Sequence, residues 1–66
     1  MDVKYPHIKV KLVGTDGNAF SILGLVSRAM KQANVPKEER DIFMKEAMNG
    51  NYDHLLQTCM KYVVVR

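Results

Sequence analysis

The period of the apolar residues changes once along the chain, and that change limits it to a small set of folds. From His7 to Val13, Ile8, Val10 and Leu12 alternate with His7, Lys9 and Lys11, the pattern of a strand with one buried face. From Ala19 onward the spacing becomes three and four: Ala19, Ile22, Leu23, Val26, Ala29, Met30 and Ala33 line one face of a helix that runs to about Asn34. Between the two lies Gly14-Thr15-Asp16-Gly17-Asn18, where two glycines can take positive φ and Asn18 is placed to cap the helix. A strand, a reversal and a core helix are therefore expected in that order.

The rest of the chain is punctuated as clearly. Val35-Pro36-Lys37-Glu38-Glu39 starts a second helix, because proline needs no hydrogen-bond partner in a first turn and carboxylates complement the helix dipole there. This helix carries Ile42, Phe43, Met44, Ala47 and Met48 and ends at Asn49-Gly50, with Gly50 expected in the left-handed closing conformation. Asn51 or Asp53 then caps a third helix that directs Leu55, Leu56, Cys59 and Met60 to the core, and Tyr62-Val63-Val64-Val65 reads as a second strand. The expected fold is one α+β domain spanning the whole chain, βαααβ, with a two-stranded sheet packed on helices.

Sixty-six residues form one small core, and such a chain hides only ~60% of the surface that its unfolded form exposes. A single cysteine, Cys59, closes no internal bridge, so self-association is the remaining means of adding buried area, and a homo-oligomer is expected. Neither an apolar leader nor a run of ~20 apolar residues occurs, which points to a reduced, cytoplasmic protein without a membrane segment. Ten Lys and Arg against seven Asp and Glu give a net charge of +3, permitting contact with nucleic acid without demanding it.

Chemistry-bearing residues are sparse. Cys59 falls on an apolar helix face and reads as packing; His54 lies five residues before it, ~140° away around the helix, so the two make no local nucleophile and base. His7 and His54 have no neighbouring ligand type, and Asp16, Asn18 and Asp53 lack the regular oxygen spacing of a calcium loop and read as caps. Glu38, Glu39, Asp41 and Glu46 alternate with Lys37, Arg40 and Lys45 in the manner of a solvated face, and Met30, Met44, Met48 and Met60 fall at core-compatible positions. No catalytic, metal or cofactor site is expected, and the chain is read as a non-enzyme.

Three binding surfaces are candidates. Phe20, Leu25 and Met44 lie off the main apolar stripes and form an expected partner interface. Lys4, Tyr5, Lys9 and Lys11 supply cations and one ring to contact nucleic acid, although strand lysines equally guard against uncontrolled edge pairing. Gly14, Thr15, Gly17 and Asn18, at the start of the first helix, offer backbone N–H groups to an anion, against which stand the charge of Asp16 and the lack of a P-loop lysine. Gly24, mid-helix, is expected to mark a close backbone approach or a ligand.

The runs Val10-Lys11-Leu12-Val13-Gly14-Thr15-Asp16-Gly17-Asn18-Ala19-Phe20-Ser21-Ile22-Leu23-Gly24 and Gly50-Asn51-Tyr52-Asp53-His54-Leu55-Leu56-Gln57-Thr58 resemble a pattern of small uncharacterised proteins of bacteria, phages and mobile elements. The resemblance covers more than a third of the chain and implies a genomic setting, with no activity, ligand or site residue to carry over. Together these readings favour a non-catalytic interaction protein acting as a homo-oligomer with a protein partner, as a phage or mobile-element accessory factor would. Nucleic-acid binding by the first strand is the alternative, and capture of a small anion at the first helix a further one.

Overall fold

A computed structural model of the protein describes residues 3–12 and 17–66. The described elements run β1 (Tyr5–Val10), α1 (Ala19–Gln32), α2 (Lys37–Ala47), α3 (Tyr52–Tyr62) and β2 (Val63–Val65), so the βαααβ order holds. The two strands pair with each other inside one chain, and they are parallel. Parallel neighbours need a long crossover, which the three helices provide.

β1 starts two residues before the expected His7, because the chain is already tied down upstream. The Lys4 N–H donates to the Lys61 carbonyl at 2.9 Å, and Tyr5 pairs with Val63. The register then jumps from Tyr5–Val63 to Lys9–Val64. Pro6 falls inside that irregular stretch, where its missing N–H withdraws one donor from the ladder. Pairing resumes at Lys9 and continues past the strand: Arg66 N–H donates to the Val10 carbonyl at 2.8 Å and Leu12 N–H to the Arg66 carbonyl at 3.0 Å. Val13, the expected strand end, lies outside the described residues.

The three helices are bounded by local chemistry. Asn18 Oδ1 accepts from Phe20 N–H at 2.8 Å, and Asn51 Oδ1 accepts from His54 N–H at 2.9 Å, so both expected asparagine caps form. α1 closes through Asn34, whose φ of 66° is left-handed. Asn34 N–H donates to the Lys31 carbonyl and Val35 N–H to the Met30 carbonyl at 3.0 and 2.9 Å, while Val35 and Met30 are both buried. This is the paired-bond helix ending with its accompanying apolar contact, built on asparagine in place of glycine.

Ile8 and Val10 of β1, Ile22, Leu23, Val26 and Met30 of α1, Phe43 and Ala47 of α2, and Leu55, Cys59 and Tyr62 of α3 form one core with Val35 and Val63. Three expected core positions are instead exposed, Ile42, Met48 and Met60, while Met44 and Leu56 are partly buried against the core. On α3 the buried stripe runs Leu55, Thr58, Cys59 and Tyr62, at spacings of three, one and three, which turns Met60 to solvent. Thr58 takes the buried place because its hydroxyl donates to the His54 carbonyl at 2.8 Å, leaving a methyl for the core. Tyr62, expected in the second strand, ends α3 instead.

Two glycines differ from expectation. Gly50 does not take the left-handed conformation; a Cβ there would meet the Cγ, Cβ and Cδ2 atoms of His54 at 2.7–2.8 Å, so it is the His54 side chain that requires glycine. Gly24 lies on an exposed part of α1, and a Cβ there would meet nothing within 4 Å, which removes the expected close approach. Gly24→Ala is therefore expected to stabilise the domain by ~0.5–1 kcal/mol through helix propensity and a less flexible unfolded chain, read as a higher urea midpoint with an unchanged m-value.

Candidate functional site

The four residues expected to contact nucleic acid separate into two groups. Lys4 and Tyr5, at the start of β1, turn toward α2 and α3. Lys4 Nζ lies 3.1 Å from Glu39 Oε1 and 5.8 and 5.5 Å from the ring centres of Tyr5 and Tyr62. Tyr5 Oη donates to the same carboxylate oxygen at 3.5 Å, and its ring stands edge-on to His7 at 6.3 Å and tilted to Tyr62 at 6.5 Å. The Glu39 hydrogen bond is the main reason that the Lys4 ammonium is held above its ordinary pKa. Lys4 and Tyr5 are thus occupied within the fold, whereas Lys9 and Lys11 point elsewhere.

Glu46 completes this cluster. Tyr62 Oη donates to Glu46 Oε2 at 2.9 Å, Lys61 Nζ lies 3.9 Å from Oε1, and His54 Nε2 is 2.8 Å from the Glu46 carbonyl, where it adds to the bond that this carbonyl accepts from Asn49 N–H at 3.2 Å. The Tyr62 ring packs edge-on against Phe43 at 5.1 Å. Burial, and then the hydrogen bond to Glu46, push the Tyr62 hydroxyl up to about 12. Glu39 and Glu46 had the look of solvated helix residues, but they are half-buried partners of the tyrosines. A signal for this exists: Glu39, Phe43 and Glu46 follow one another at four and three, which aligns both carboxylates with the buried Phe43.

The two side chains weighed as a nucleophile and its base are both committed to the fold. Cys59 is fully buried, and burial pushes its thiol up to about 11, so at neutral pH it is protonated and shielded from solvent. His54, its only nearby candidate base in sequence, is committed to the Glu46 carbonyl. Among the described residues no three His, Cys, Asp or Glu side chains gather as metal ligands. No helix among them is long and apolar enough to cross a membrane.

The expected anion loop is described only in part: Gly14 and Thr15, with Asp16, lie outside the described residues. Gly17 is exposed, and Asn18 spends its side-chain oxygen on the Phe20 N–H at the entrance of α1. The expected partner residues also separate. Leu25 and Met44 are half-buried against the core, while Phe20 stands 74% exposed.

Phe20 belongs to a different grouping. With Met48 at the end of α2 and Tyr52 at the start of α3 it rims an open groove of about 220 Å³ whose floor includes Leu23, Ala47 and Leu55. Met48 and Tyr52, 56% and 45% exposed, were not among the expected interface residues, because one was counted as core and the other carried no periodic signal. The groove arises where the cap of α3 folds back beside the entrance of α1, a meeting of segments about thirty residues apart in the chain.

No protein-family model, curated protein or solved structure matches the chain. Its own surfaces are what bear on function.

Proposed function

We propose that the protein is a non-catalytic interaction module that self-associates through the groove rimmed by Phe20, Met48 and Tyr52. The observation that carries this reading is the convergence of three large exposed apolar side chains on one groove whose lining, among the described residues, has no Lys, Arg, Asp or Glu. In a two-fold dimer the same patch meets itself, so any charge in it would face its own copy. An uncharged patch avoids that repulsion in a chain of net charge +3. Aromatic and methionine side chains are also the types that concentrate at the centres of interfaces.

The small core supports the same reading, since a second copy adds buried apolar area that one chain of this length does not have. A role as an accessory factor of a phage or mobile element fits a short self-associating protein and rests on the resemblance of the Val10–Gly24 and Gly50–Thr58 runs. The nucleic-acid reading is supported less well, because Lys4 and Tyr5 are engaged by Glu39 and Tyr62.

Size exclusion with light scattering on the whole chain, at low and high salt, tests the proposal. The expected result is a dimer or larger species that persists in high salt and becomes a monomer on Phe20→Glu, with the circular dichroism spectrum unchanged. A wild-type monomer at tens of micromolar, or an oligomer indifferent to both Phe20→Glu and Tyr52→Glu, overturns it.

A further inference from the structure

A second surface lies along the outer edge of β1. Backbone groups of alternate strand residues point to opposite sides. The Val10 carbonyl and the Leu12 N–H are both bonded to Arg66, so the even-numbered residues face β2. The N–H and C=O groups of Lys9 and Lys11 therefore face away from β2, and among the described residues the sheet has no third strand to receive them. They open onto a groove of about 240 Å³ lined by Lys9, Val10 and Lys11 on one side and by Leu25, Arg28, Ala29 and Gln32 of α1 on the other. Val10 contributes backbone to this wall, since its side chain is buried in the core.

Among the described residues the charges around the groove are of one sign: Lys9, Lys11 and Arg28 line it, no carboxylate does, and none of the three makes an ion pair. The contrast with Lys4 and Lys61 is direct, because those two are matched to Glu39 and Glu46. β1 and α1 carry no Asp or Glu at all, whereas α2 and α3 hold Glu38, Glu39, Asp41, Glu46 and Asp53.

We propose that this groove takes an extended acidic peptide segment of a partner protein, which adds as a strand to the free edge of β1. Main-chain hydrogen bonds to Lys9 and Lys11 supply the pairing, Leu25 and Ala29 receive apolar side chains, and Lys9, Lys11 and Arg28 meet carboxylates. A second copy of β1 is disfavoured as the occupant, because it would set Lys9 and Lys11 against their own equivalents. Single-stranded nucleic acid is disfavoured because the groove lining contains no aromatic ring on which a base can stack, and Tyr5 is held in the Glu39 and Tyr62 cluster. This surface is separate from the Phe20 groove and does not depend on self-association.

The probe is a short fluorescent peptide of alternating glutamate and valine, titrated by anisotropy into the wild-type chain and into Phe20→Glu. Binding is expected in both, with new hydrogen-exchange protection at the Lys9 and Lys11 amides. Affinity should fall roughly tenfold or more in Lys9→Glu and in Arg28→Glu, and should be lost when alternate peptide amides are N-methylated. Circular dichroism confirms that each variant is folded, and Arg28→Gln serves as a milder substitution if Arg28→Glu is not. Three results overturn the proposal: no binding of the peptide, binding indifferent to N-methylation, or displacement of the peptide by oligothymidylate that itself binds in a Lys9-dependent way. The last would make the groove a nucleic-acid site.

Discussion

The domain is expected to lose most of its stability between about pH 9 and about pH 12, as Cys59 and Tyr62 give up protons that the fold holds on them. Cys59 and Tyr62 are both buried in the core around Phe43, and burial raises them to about 11 and about 12 from ordinary values of 9.0 and 10.0. Each folded-state pKa lies above its unfolded value, so the folded protein holds the proton longer. The stabilisation is fully present below the unfolded pKa and disappears as pH rises through the folded one. For each group the preference for the neutral form is on the order of 2–3 kcal/mol. The raised pKa of Lys4 acts with the same sign, since deprotonation removes its pairing with Glu39.

A domain of this size has ~3–10 kcal/mol of stability in all, so ionising both groups removes a large part of it. Urea unfolding at about pH 8 and about pH 11 measures the loss directly. Cys59→Ala should flatten the lower half of the transition and Tyr62→Phe the upper half, because each variant deletes one titrating group while keeping most of the packing. Equal stability at the two pH values would show that neither group is protected by the fold.

The origin of this core explains how far the sequence carries. Local signals were readable: the alternation of Ile8 and Val10, the asparagine caps at Asn18 and Asn51, the Pro36 entrance to α2 and the stripe through Ile22, Val26 and Met30 all reappear in the structure. These depend on residues within a turn or two of one another. What the sequence hid depends on distant segments meeting. Glu39 and Glu46 become tyrosine partners only because β1 and the end of α3 both lie against α2. Met48 and Tyr52 join Phe20 only because α3 begins beside the entrance of α1.

Helical periodicity also treats Thr58 and Met60 by hydropathy, whereas the fold decides between them by angle, and a threonine that bonds the preceding turn is admitted to the core. The parallel pairing of β1 with β2 follows from the same kind of information, since alternation shows which face of a strand is buried and is silent on its neighbour's direction. The basic groove is legible by halves: Lys9 and Lys11 stand out in sequence, but Arg28 and Leu25 reach them only through the packing of α1 on β1.

Gly50→Ala is expected to cost about 2–4 kcal/mol, far more than the exchange of a flexible residue for a helix former normally would. The added methyl would meet His54 at 2.7–2.8 Å, and the atoms it meets are at the root of that side chain, so rotation of the ring tip gives no relief. His54 must move as a whole. Its Nε2 then leaves the Glu46 carbonyl, which keeps the longer 3.2 Å bond from Asn49 N–H at the end of α2. The joint between α2 and α3 loosens where Glu46 also receives the Tyr62 hydroxyl, and the disturbance reaches the core through Tyr62 and Phe43. Removing the whole obstructing side chain, Cβ included, separates steric conflict from backbone preference. In a His54→Gly background the same Gly50→Ala change should cost less than about 1 kcal/mol, giving a double-mutant coupling of at least the same size. Additive costs across that cycle would mean that Gly50 is required by its own backbone and that the His54 contact plays no part.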